Sequence, residues 1–294
     1  MRIAACSHLI IHDEAYLPPK AAQYLLSFPS MDTTSTLLKT TVCVITLNEQ
    51  VNLGACLDSV KFANEVVVID SGSTDATHTI ATDSGAQLFV NSQWPGFGPQ
   101  KNLALSKATH DWVLSIDADE RVTPKLVDEL AKALAQAEAS GAKVAFAIPR
   151  STQFCGVWIR YCGWTPDYVV RVFRRSQAKF SDDLVHEKVV FTHPGVKVVK
   201  LKNTLLHYSY PSPDQYWRKL ELYSRAWAQQ KHAEGRKVTI AHAGLSALAA
   251  FLRSYVFRLG FLDGAMGFAV CTMQAQAAFG KYFELYCLNK KHDT

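Results

Sequence analysis

Between Thr41 and Pro149, short runs of β-branched and apolar residues alternate with stretches of helical period, and this alternation limits the possible folds. "TVCVITL" (Thr41–Leu47) is followed by a helical stripe through Leu53, Leu57 and Val60. "EVVVID" (Glu65–Asp70) precedes "SGSTDAT", a turn and capped start for a helix that closes near Gly85. "AQLFV" predicts a third strand and "PQKNLALSKA" a short helix. "WVLSID" predicts a fourth strand, after which Thr123 and Pro124 supply a cap and a first helical residue. That helix carries Leu126, Val127, Leu130, Leu134 and Ala137 and ends near Gly141, where "KVAFAIP" resumes as strand. Strands this short and this apolar need cover on both faces. The pattern predicts an α/β fold: an open, mostly parallel sheet flanked by helices. Ligands of such sheets sit at the carboxyl ends of the strands.

Acidic residues occupy those ends. Asn48 and Glu49 follow the first strand, Asp70 ends the second, and Asp117 and Asp119 close the fourth. Asp75 also reads as a helix cap, and Asp70 is equally what a tight turn needs. The pair is harder to explain structurally. In extended chain, residues i and i+2 point to one side, so two carboxylates face one point. They repel, or share a proton, unless a divalent cation joins them. Hard oxygen donors in an open site suit Mg²⁺ or Mn²⁺ that is also bound by substrate phosphates. Arg171 in "YVVRVFRR" suits a phosphate through its guanidinium fork, or else lies on a solvated strand edge.

"TLNEQVNL", "VVVIDSGSTDAT", "QKNLAL" and "SIDADE", in this order and spacing, resemble glycosyltransferase family 2. The resemblance implies the GT-A fold, an open mixed sheet that binds a nucleotide-sugar donor. Downstream, "RVFRR", "LVHEKV", "LLHYSYPS" and "GFLDGAMG" resemble bacterial lipopolysaccharide inner-core glucosyltransferases, which add glucose to a heptose. By this likeness Asp70 reads the uracil ring, Lys101 lies near the nucleotide, and Asn48 and Glu49 line its pocket. Asp117 faces ribose and metal, Asp119 is the direct metal ligand, and the cation makes UDP a better leaving group. His207 in "LLHYSY" is a further metal ligand or diphosphate contact, or else a satisfied core histidine. Inverting transfer also needs a base for the acceptor hydroxyl. Asp182, Asp183 and Glu187 are the candidates, Glu187 first and Asp183 next, although Asp182 and Asp183 also suit a turn. Many family members carry a Glu–Asp pair where this chain has His186–Glu187. Transfer to a polyprenyl phosphate is the same-class alternative, and a non-catalytic nucleotide-sugar-binding scaffold the other.

The chain has 294 residues, 48% of them hydrophobic and 19% charged, which describes a globular protein. Its seven cysteines form no C-x-x-C pair, as expected of reduced thiols in the cytoplasm. Residues 1–39 read as an extension, with Met31 a second possible start; 40–211 as the catalytic domain; and 212–294 as a helical region. The last begins with a capping box, Ser212-x-x-Gln215, followed by the core stripe Tyr216, Leu220, Tyr223 and Trp227. The net charge of +5 is uneven: residues 196–294 carry 14 Lys and Arg against 6 Asp and Glu. No nucleic-acid-binding motif accompanies that basic excess. A membrane surface accommodates it better, because "VTIAHAGLSALAAFLRSYVFRLGFLDGAMGFAVCTMQAQAAFGKYF" is strongly apolar yet divided by Arg253, Arg258 and Asp263. Its uncharged runs fall short of a bilayer span, so the expectation is a peripheral appendage at the cytoplasmic face of the inner membrane. There Phe251, Tyr255, Phe257, Phe261 and Phe268 would meet the acyl boundary and the active site a lipid-anchored saccharide acceptor. Packing of these helices on the chain's own core is the competing expectation.

Overall fold

A computed structural model describes residues 39–182 and 187–291. The chain forms two compact units: Met1–Ala118, Pro124–Phe146 and Val170–Val199 in the first, and Asp119–Thr123, Ala147–Val169 and Lys200–Thr294 in the second. The second unit joins the helical region to the last strand, Leu205–Tyr210, which pairs with Val144–Phe154 and Glu120–Val122.

In the first unit, β1 (Thr40–Thr46) lies between β2 (Glu65–Asp70) and β4 (Trp112–Asp117), parallel to both. Outside β2 lies β3 (Gln87–Val90), again parallel. On the other side of β4, β8 (Asp167–Arg174) runs antiparallel, which makes the sheet mixed. The apolar runs are buried because helices cover them. α3 (Phe97–Lys107) puts Ala104 and Leu105 against Cys43, Val67 and Ile69. α4 (Pro124–Ser140) buries all five residues of its predicted stripe. α1 (Leu53–Ser59) and α2 (Thr77–Asp83) follow β1 and β2. Register aligns Thr46 with Asp70 and Ile45 with Asp117, so the acidic ends of β2 and β4 share one edge.

A small antiparallel pair, β9 (Ala178–Phe180) with β10 (Val189–Phe191), belongs to the same unit. α3 clamps it. The Asn102 side chain donates to the Phe180 carbonyl at 2.9 Å and accepts the Phe180 N–H at 2.8 Å, imitating a strand neighbour. One turn earlier, Gly98 lets the Ser181 backbone approach so closely that a Cβ would sit 1.8 Å from its carbonyl oxygen.

In the second unit, β12 (Leu205–Tyr210) pairs antiparallel with β5 (Glu120–Val122) and parallel with the later part of β6 (Val144–Phe154). β7 (Val157–Ile159) folds back on β6 as a hairpin. Phe154, Ile159 and Cys162 form a core with Val270, Cys271 and Met273 of α7 (Gly264–Lys291), bordered by Trp164, Tyr210 and Tyr216. The end of "GFLDGAMG" is a tight crossing, since a Cβ on Gly267 would meet the Gly260 carbonyl at 1.9 Å. Its Asp263 accepts the backbone N–H groups of Tyr161 at 2.8 Å and Arg160 at 3.2 Å, buckling the segment after β7 to the helices. α5 (Pro213–Ala233) has Ser212 as its N-cap, but no side-chain cap bond forms, so the expected capping box is absent; Pro213 and Asp214 lie in its first turn. Tyr223 is exposed rather than core.

Gly98→Ala is expected to lower stability by about 1–3 kcal/mol, as overpacking does. A urea midpoint equal to that of the parent would show that Ser181 yields without cost.

Candidate active site

The loops after β1 and β2 are locked to each other. Asn48 adopts left-handed backbone (φ 55°), which asparagine tolerates. Its N–H donates to Ser73 Oγ at 2.7 Å, and its side-chain carbonyl accepts the Thr74 N–H at 2.9 Å. The Glu49 N–H donates to Thr77 Oγ1 at 2.8 Å and the Gln50 N–H to Asp75 Oδ2 at 3.1 Å. Glu49 is itself buried, with Oε2 accepting from Asn52 Nδ2 at 2.9 Å.

Asp70 anchors the second loop. Its fully buried carboxylate accepts the N–H groups of Ser73 and Gly72 at 2.7 and 2.8 Å and the Thr46 hydroxyl at 3.0 Å, and meets His78 Nε2 at 2.7 Å. Burial opposes its charge, but the bonds from Ser73, His78 and Gly72 prevail and hold the carboxyl below the ordinary range. The buried carboxylate builds the turn.

At the end of β4, Asp117 lies between two cations. Oδ2 accepts from Arg171 of β8 at 2.6 Å, and Oδ1 lies 3.1 Å from Lys101 Nζ of α3. Burial would raise this carboxyl, yet Arg171 and Lys101 hold it well below the usual carboxylate range. Lys101 also reaches Glu187 Oε1 at 2.7 Å, and its ammonium lies 5.5 Å from the centre of the Phe180 ring. Arg171 is buried, so it does not lie on a solvated edge, and its NH2 group donates to Asp117. Thus two side chains offset the charge of Asp117.

Asp119 opens the second unit's share of this segment. Its Oδ2 lies 3.4 Å from Nε2 of His207 on β12, and its carbonyl accepts the Tyr208 N–H at 2.9 Å. The other ring nitrogen of His207, Nδ1, is 3.4 Å from Thr152 Oγ1. Two ligand atoms bound side by side to one Mg²⁺ or Mn²⁺ stand ~3 Å apart, given bonds of about 2.1 Å. The Asp119–His207 pair fits that spacing. No group of three or more His, Cys, Asp or Glu able to hold a metal forms among the described residues. Asp183, the alternative base, lies outside them, and so does His186.

Sequence reasoning missed the clamp formed by Gly98 and Asn102, although "GPQKN" carried it. It also missed Glu120, fully buried within 3.5 Å of Arg150, whose Nε donates to Asp167 at 2.9 Å. That glutamate closes "SIDADE", and its place beside the acidic pair was the only signal in the sequence.

The family model "Glycosyl transferase family 2" matches residues 41–177. A lipopolysaccharide core biosynthesis glycosyltransferase, LpsC of Rhizobium meliloti (strain 1021), is 31% identical over 83% of this chain and 90% of its own length. The chain belongs to glycosyltransferase family 2. An uncharacterized glycosyltransferase of Rickettsia prowazekii (strain Madrid E) is 29% identical over 86% of this chain and 88% of its own. A mannosyltransferase of Pyrobaculum calidifontis, solved with GDP-Man and Mn²⁺, shares the fold at TM-score 0.50 and 15% identity, covering 84% of this chain and 86% of its own. This family 2 glycosyltransferase therefore has the expected GT-A architecture, a mixed sheet flanked by helices with long helices at its C-terminal end.

The two aspartates of the family motif should respond differently to substitution. Asp117→Ala leaves Lys101 and Arg171 facing one another and is expected to cost about 3 kcal/mol, the low end for breaking a buried pair because the carboxylate is partly exposed. Asp119→Ala should cost about 1 kcal/mol, the worth of one polar contact, while abolishing transfer. Urea denaturation of both variants checks the order, and equal midpoints would contradict it.

Proposed function

We propose that this family 2 enzyme transfers glucose from UDP-glucose, with inversion, to a heptose of the lipopolysaccharide inner core. The observation that carries the acceptor class is the likeness to LpsC, which spans most of both chains. The interlocked loops of Asn48, Ser73 and Thr74 form a preorganised rim for the nucleotide, so little ordering entropy is spent on binding. Asp119 and His207 would hold Mg²⁺ or Mn²⁺. When bound, that cation supplies charge neutralisation for the leaving diphosphate.

The remaining work belongs to side chains. Lys101 holds the Glu187 carboxylate by a 2.7 Å ion pair and steadies Asp117 at the same time. Glu187 receives the proton of the acceptor hydroxyl as that oxygen attacks the anomeric carbon from the face opposite UDP. Arg171 keeps Asp117 ionised and fixed. Asp70 acts one step further back, by shaping the loop that Asn48 joins.

UDP-glucose with Mn²⁺, at a hundred times its dissociation constant, should stabilise the protein by about 2.7 kcal/mol in thermal unfolding. Stabilisation by another nucleotide sugar alone would move the donor assignment. Glu187→Gln should retain UDP binding and lose about 10²- to 10⁴-fold in rate. Near-normal turnover by that variant, with a dead Asp183→Asn, would move the base to Asp183.

A further inference from the structure

We propose that the outer surface of α6 (Ile240–Leu252), the π-helical turn Arg253–Phe257 and the 3₁₀ turn Gly260–Asp263 docks onto an anionic bilayer, lying in its interface without crossing it. This extends the proposed reading, whose acceptor is lipid-anchored, without depending on which sugar is moved.

The segment Ile240–Phe257 is 18 residues of helix, long and apolar enough by length and composition to cross a membrane, with only 11% of it buried. Its inner face is packed. Ala243 and Ser254 are buried, and Phe251 and Tyr255 stack on one another at 5.1 Å and pack against the core of Val270, Cys271 and Met273. An ordinary surface helix would be polar on the opposite face. Here that face carries Leu245, Leu248, Leu252 and Val256, and it ends at Phe257, which is 79% exposed. Phe261 and Leu262 continue the patch on the 3₁₀ turn. Phe251 and Tyr255, expected from sequence to enter the lipid, therefore face inward, and leucines stand in their place.

The occupant follows from charge. Between Glu234 and Asp263 there is no acidic residue, while Arg236, Lys237, Arg253 and Arg258 lie in that interval. Two copies meeting through this face would bring like charges together, whereas anionic headgroups complement them. Arginine stems can lie along apolar side chains with the guanidinium at headgroup level. Crossing is opposed by three features. Arg253 would sit within the span; the helix breaks at Leu259, which is left-handed (φ 54°); and Asp263 fastens the turn to the backbone of Arg160 and Tyr161.

The test is flotation of the full chain with phosphatidylethanolamine–phosphatidylglycerol vesicles and with phosphatidylcholine vesicles. Binding should require the anionic lipid and fall as NaCl rises. A Leu248→Gln, Phe257→Gln double variant should lose about tenfold or more in partitioning per side chain, and Arg253→Glu about tenfold. UDP-induced thermal stabilisation of the variants should equal that of the parent, which separates loss of docking from loss of the donor site. Should the double variant not fold, the lipid and salt dependence of the parent still decides. Absence of flotation with either vesicle overturns the proposal. So does retention through an alkaline wash, which would mean a span. A dimer in light scattering that the double variant abolishes, without vesicle binding, would assign the face to a second copy.

Discussion

One carboxylate at the end of a central strand, held by an arginine from the neighbouring strand and a lysine from the covering helix, organises the first unit. Asp117 contacts Arg171 at 2.6 Å and Lys101 at 3.1 Å, and Lys101 continues to Glu187 at 2.7 Å. Two cations and two anions thus balance in a place with little water. Removing any member would leave a charge whose desolvation nothing offsets. Because the four come from β4, β8, α3 and the segment before β10, their balance also fixes where those elements meet.

The same economy explains the family motifs as local structure before chemistry. "IDSGSTD" turns on the buried Asp70; its Ser73 hydroxyl accepts the Asn48 N–H, and its Thr74 N–H donates to the Asn48 side-chain carbonyl. "GPQKN" supplies a close backbone approach, a lysine for the charge cluster and an asparagine that completes β9. "GFLDGAMG" is a helix crossing fastened by a carboxylate.

Much of this was readable beforehand. β1, β2 and β4 lay where β-branched runs placed them, and the α4 stripe was buried as its period required. The acidic residues did mark the carboxyl ends. Their partners could not be read, because Arg171 and Glu187 stand 54 and 86 positions from the residues they pair with. An arginine amid "YVVRVF" reads alike on a wet edge or a buried one until the neighbouring strand is known. α6 defeated periodicity for another reason: it is apolar on both faces, so no stripe told the inner Phe251 from the outer Leu248. The division into units escaped notice because β6 and β12 pair across a long stretch of sequence.

The 54 positions between Asp117 and Arg171 also impose an order on synthesis. At ~5–20 residues per second, roughly 3 to 11 seconds pass on the ribosome between the two residues. During that interval β1, β2 and β4 can already assemble as a parallel core, while the aspartate has only Lys101 to face. β8 cannot seal the open side of β4 until its own residues emerge, and neither compact unit is a continuous stretch that could finish first. The nascent chain therefore holds an exposed strand edge, charged at its tip, until its guanidinium arrives. That acidic tip discourages pairing with a foreign strand while the edge stays uncovered.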